Sequence, residues 1–158
     1  MPVEAKRIQL ISNDICFGPC PKPDDEVEQH LTITDDGRVF FSSYCYGEGG
    51  KYVRNRMRNF RIAESVATAI VHSVDAQFSV DYNECIVTDI GCWNLILTDT
   101  RRLQHKYHGA LYPGCHTELK HISDAIRHSL CMPELYVFDG NVSKSRRLSD
   151  DNTAHDSK

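Results

Sequence analysis

The sequence predicts an α+β protein: a two-layer sandwich in which one mostly antiparallel sheet carries two helices on one face. Three observations lead there. Several segments alternate apolar and polar side chains with the period of two that a half-buried strand needs. Two other segments repeat apolar residues at intervals of three and four, the signature of an amphipathic helix. The order hairpin, then helix, occurs twice, over residues 27–79 and 85–131, as a doubled β-β-α unit would have it.

The first strand is read over Arg7 to Asn13, where Ile8 and Leu10 share a face. Gly18-Pro19-Cys20-Pro21-Lys22-Pro23 follows, and its prolines exclude regular structure, leaving a loop that ends in Asp24-Asp25-Glu26. Val27 to Thr34 alternates again. Asp35-Asp36-Gly37 is a short hairpin turn, because glycine takes a positive φ at little cost. The return strand, Arg38 to Tyr46, places Val39, Phe41, Ser43 and Cys45 on one face and Phe40, Ser42, Tyr44 and Tyr46 on the other. Aromatic side chains on both faces mean cover on both sides, or one row left for contact.

Gly47-Glu48-Gly49-Gly50 breaks that strand, and Lys51 to Asn59 reads as a basic loop. Ile62, Val66, Ala69, Ile70, Val74 and Phe78 then mark a helix over about residues 63–79, with Phe60 placed to pack back on its first turn. The stretch from Asp89 to Thr98 carries the only tryptophan. Trp93, Leu95 and Leu97 form its oily face, so it is expected near the middle of the sheet. Gly91 suggests a bend there. Leu103 to Leu111 returns, and Thr117 opens a second helix through Leu119, Ile122, Ile126 and Leu130, which Pro133 stops. Leu135-Tyr136-Val137-Phe138 is expected as a short closing strand. The chain divides into a single domain, residues 1–141, and a polar tail, residues 142–158, expected to be disordered.

With its ending Leu135-Tyr136-Val137-Phe138-Asp139-Gly140-Asn141, the chain resembles small stand-alone proteins of bacterial genomes and mobile elements that have no assigned activity. The resemblance names no family and carries no catalytic motif, so it assigns no role to any residue.

Composition narrows the function classes. No run approaches the ~18 apolar residues of a membrane helix, and the N-terminus has no apolar signal core. The expectation is therefore a cytoplasmic protein with reduced thiols and no membrane partner. Its seven cysteines match no zinc-finger or ribbon spacing, and Cys45, Cys85, Cys92 and Cys131 are read as small core side chains. Phosphate-loop, dinucleotide-binding, zinc-protease and serine-hydrolase signatures are absent.

The sharpest local feature is the basic segment. Lys51, Arg54, Arg56, Arg58 and Arg61 fall within eleven residues, beside Tyr44, Tyr46 and Tyr52. Arginine binds phosphate or carboxylate bidentately, and tyrosine stacks on bases. The bland alternative is a solvated face paired with the acidic Asp24-Asp25-Glu26 loop. The overall charge of −4 and a pI near 6.0 argue against general coating of nucleic acid. The reading is thus a small non-enzymatic interaction protein, a modulator or inhibitor that binds through Tyr46, Lys51, Tyr52, Arg54, Arg56 and Arg58. Its partner is expected to be a protein, which a nucleic acid also occupies in one version. Counter-defence proteins of mobile elements, such as inhibitors of CRISPR nucleases, share this size and composition (anti-CRISPR proteins). Homodimerisation through a strand edge is open.

The alternative is chemical. Cys16, Cys20, Cys115 and His116 would make a tetrahedral structural zinc site if their two loops met. Cys115, in a turn before a helix, would instead serve a Cys–His enzyme with His121 or His128. Without that alternative, no cofactor is expected.

Overall fold

The computed structural model describes residues 4–15, 20–79, 82, 84, 87, 90–112 and 117–140. Its elements are β1 (Ala5–Asn13), β2 (Glu26–Thr34), β3 (Arg38–Cys45), β4 (Val53–Arg61), α1 (Glu64–Phe78), β5 (Cys92–Asp99), β6 (Gln104–Ala110) and α2 (Thr117–Leu130). The strands form one six-stranded sheet in the order β4-β3-β2-β1-β5-β6, with every neighbouring pair antiparallel. The α+β sandwich read from the sequence is therefore the observed architecture, and hairpin-then-helix recurs as β3–β4–α1 and β5–β6–α2.

The two-residue period sorts the strands by face. Ile8 and Leu10, Leu31 and Ile33, Val39 and Phe41, and Trp93, Leu95 and Leu97 are all buried on the helix side. There they meet Ala67, Ile70, Val71, Val74 and Phe78 of α1 and Leu119, Ile126 and Leu130 of α2 in one core. At ~25 cal/mol per Å² of apolar surface, this layer supplies most of the drive to fold. α1 carries the chain from β4, at one edge, across β1 and β2 to β5 on the far side. The opposite sheet face is half-buried or exposed along every strand, and Phe40 is 43% exposed there.

Four expectations are corrected. The basic segment is not a loop: from Val53 onward it is β4, paired with β3 from Val53↔Cys45 to Arg61↔Arg38. The tryptophan strand lies one place in from the β6 edge, and β1 and β2 occupy the centre. Residues 135–138 are not a strand: Leu135 and Tyr136 have no regular structure, Val137 and Phe138 lie in a turn, and Val137 sits at φ 49°. Cys45 and Cys92 are half-buried and Cys131 is exposed, so none of these three is a core side chain. Cys85 and the tail from residue 142 lie outside the described residues.

The turn segment after α2 is held over the sheet by side chains. Gln29, buried on β2, accepts from the Tyr136 amide at 2.8 Å and donates to the Glu134 carbonyl at 3.1 Å, as a neighbouring strand would. Ser12 Oγ donates to the Val137 carbonyl at 2.6 Å. From α2, Arg127 donates to the carbonyls of Leu135, Tyr136 and Gly140 at 2.8, 3.1 and 2.6 Å, and pairs with buried Asp139. A buried guanidinium needs both a counter-charge and acceptors for its N–H groups, and this segment gives it both.

Candidate functional site

β4 is the candidate site. As the outermost strand it pairs, among the described residues, only with β3, and Arg56 and Phe60 alone among its residues are even half-buried. Residues 51–61 hold five basic side chains and no acidic one, leaving thirteen basic against 22 acidic residues in the rest of the chain. The positive charge is therefore local, set on an otherwise acidic protein.

The connection into β4 is short and fixed. Glu48–Gly50 makes a single 3₁₀ turn, and Gly47 enters it at φ 75° with its amide on the Pro23 carbonyl at 2.9 Å. A β-carbon on Gly47 would lie 1.9 Å from the Lys51 carbonyl oxygen, so this position requires glycine. The Tyr46 and Tyr52 rings then meet, centroids 6.3 Å apart. Tyr52 OH accepts from Asn13 Nδ2 at 3.0 Å, and Cys20 Sγ lies 3.5 Å from Tyr46 OH.

A register shift between Ser43 and Tyr44 divides the arginines between the two faces. Such an irregularity re-aims the side chains on either side of it. Arg54 pairs with Tyr44 on the open face, and its Nη1 lies 3.8 Å from Met57 Sδ. Arg56 and Arg58 pair with Ser43 and Phe41 and so belong to the helix side. Arg56 donates to Glu26 from Nε and Nη2 at 2.9 and 2.7 Å and to Glu134 from Nη1 at 3.0 Å. Arg58 lies over the Phe60 ring at 5.1 Å. Among the described residues, no carboxylate stands within ion-pair distance of Arg54, Arg58 or Arg61. Lys51 is exposed.

The six residues singled out from the sequence thus separate. Tyr46 and Tyr52 pair at the entry to β4. Arg54 reaches the open face and Arg58 the helix side, both without a carboxylate among the described residues, while Arg56 is an internal tie. The acidic loop expected to neutralise the basic segment does so at one point only, through Glu26. Arg61 belongs to the same basic cluster; two apolar residues were missed, Val53 and Met57, each 59% exposed. Their signal was the alternation of residues 53–61 itself, which lacks the single oily face by which a strand is usually recognised.

Of the zinc candidates, Cys16, Cys115 and His116 lie outside the described residues. Among the described residues, no three His, Cys, Asp or Glu side chains gather as a metal site would need. The strand histidines do separate as the alternation requires. His105 Nε2 lies 2.9 Å from Asp99 Oδ2, a contact that holds this carboxyl below its ordinary range. His108 Nδ1 lies 2.9 Å from Asn94 Oδ1 on the open face. No helix among the described residues is long and apolar enough to cross a membrane. No protein-family model matches the chain, and the search of curated proteins finds no match.

Proposed function

We propose that the chain is a small non-enzymatic interaction protein that engages an acidic partner along β4. One observation carries this reading: an exposed edge strand concentrates basic side chains, of which Arg54, Arg58 and Arg61 have no carboxylate partner among the described residues, on a chain that is acidic elsewhere. Charge of one sign, gathered on a low-relief edge, steers an oppositely charged partner and aligns it. Occupying a partner's acidic segment is the action of a modulator or inhibitor. The size and composition suit counter-defence against a nucleic-acid-bound nuclease of the CRISPR type.

The test uses the double variant Arg54→Glu/Arg58→Glu, which leaves Arg56 and its ion pairs in place. The native chain, despite its net charge of −4, is expected to be retained on immobilised heparin and on immobilised polyglutamate at low salt. The variant, with an unchanged circular dichroism spectrum, should pass through both. Equal retention of the two proteins would remove β4 as the docking surface.

A further inference from the structure

We infer that the partner's contribution is an extended acidic segment of another protein, which joins the sheet as a seventh strand beside β4; this rests on the reading of β4 as the docking surface. A sheet edge is a row of backbone donors and acceptors facing outward, and an incoming strand satisfies them in order. β4 offers nine residues without a proline, and none of them is buried. At ~3.3 Å per residue this edge runs about 30 Å.

Natural sheets blunt such an edge with charge, so the first rival occupant is a second copy of the chain. The charges oppose it in the registers that overlap most of β4. Antiparallel pairing of two β4 strands centred on Met57 sets Arg56 opposite Arg58 twice. Centring on Arg58 sets that residue opposite itself. Like charges directly opposed are unfavourable on either sheet face. A strand carrying carboxylates at those positions reverses the sign of each pair.

The second rival is a nucleic acid. Its phosphates would need the arginines on one side of the sheet plane. Instead, Arg54 belongs to Tyr44's face and Arg58 to Phe41's. An added strand lies in the plane between them and sets its acidic side chains on Arg58's face. Its preferred sequence follows from the period of two: a carboxylate opposite Arg58, and an apolar side chain opposite exposed Met57. Alternating acidic and apolar residues is the recognised chemistry.

The probe is an acetylated nine-residue peptide alternating valine and glutamate. A second version carries N-methyl groups on every other amide, with identical charge and no free donors along one edge. The unmodified peptide should bind, as read by fluorescence anisotropy, and should slow hydrogen exchange at β4 amides. The N-methylated peptide and the Arg58→Glu variant should each bind at least tenfold more weakly. Equal binding of the two peptides would overturn strand addition while leaving charge-based docking on β4 intact. Binding of an oligothymidine that depends on Arg54 and Arg58, with no peptide binding, would assign the edge to nucleic acid instead. An unchanged affinity in Arg58→Glu, together with unchanged heparin retention in the double variant, would overturn both readings. A β4-dependent dimer in sedimentation would also overturn this one, since the edge would already be filled.

Discussion

Arg56 grips Glu26 with two prongs of its guanidinium, Nε on Oε2 at 2.9 Å and Nη2 on Oε1 at 2.7 Å. The same carboxylate accepts from Ser43 Oγ and Asn55 Nδ2 at 2.9 Å and from Gln29 Nε2 at 2.8 Å. β2, β3 and β4 are tied at this point. Through Glu134, Arg56 also reaches the turn segment that covers the sheet. Two positions on, Arg58 makes no ion pair among the described residues and rests on an aromatic ring. Residues that look alike in the sequence therefore differ in kind. Arg56→Glu would place a third carboxylate against Glu26 and Glu134 and is expected to cost about 2 kcal/mol. Arg58→Glu should stay within ~0.5 kcal/mol of the native chain. Urea unfolding of the two variants checks this; equal losses would mean that Arg56 is no tie.

The same cluster sets a pH dependence. Burial raises the Glu26 pKa, but the bonds from Arg56, Gln29 and Ser43 outweigh it, so the folded carboxyl lies below its ordinary 4.5. Between the folded and unfolded values the unfolded chain binds the extra proton, so stability rises with pH there. The contribution is present above the unfolded value and is lost as pH falls through the folded one. Asp139 has the opposite sign, because its burial raises the folded pKa despite Arg127. A difference between two proteins isolates Glu26 from such terms. The gap in urea midpoint between the native chain and Glu26→Gln should narrow as pH falls from about 6 to about 3. A gap that does not change with pH would show that this carboxyl is not preferentially ionised in the folded state.

What the sequence disclosed followed from burial. Val27 to Thr34 and Trp93 to Thr98 have one face in the core, and the alternation this imposes is visible without coordinates. The helix of Ile70, Val74 and Phe78 was visible for the same reason. β4 was hidden because an edge strand exposed on both faces needs no oily side. Val53 and Met57 fall on alternate positions from Phe60, and arginines fill much of the rest. Residues 135–138 misled in the other direction. All four are buried, as in a covered strand, yet their backbone groups bond to the side chains of Gln29, Ser12, Ser123 and Arg127. A polar side chain substituting for a neighbouring strand leaves no periodic trace. The candidate site was half legible for a related reason: the basic cluster is compositional, but its division between two faces depends on the register shift at Ser43 and Tyr44.

Gly109 gives the third prediction, because it is the floor on which the tryptophan rests. The two residues are directly paired between β5 and β6. A β-carbon at position 109 would lie 2.4 Å from Trp93 Cζ2, 2.6 Å from Cε2 and 2.7 Å from Tyr82 OH. The indole cannot withdraw, since it is 1% exposed and Phe138 stands edge-on to it at 4.9 Å between centroids. Gly109→Ala is therefore expected to cost about 1–3 kcal/mol by overpacking, although alanine suits a strand better than glycine. It should also shift the tryptophan emission, which reports from this one position. The double variant Gly109→Ala/Trp93→Phe separates crowding from any other loss. If the indole is what the methyl meets, the smaller ring relieves the strain, and the alanine costs less in that background than in the native one. An equal cost in both backgrounds would place the conflict elsewhere, with the Tyr82 hydroxyl the next atom in reach.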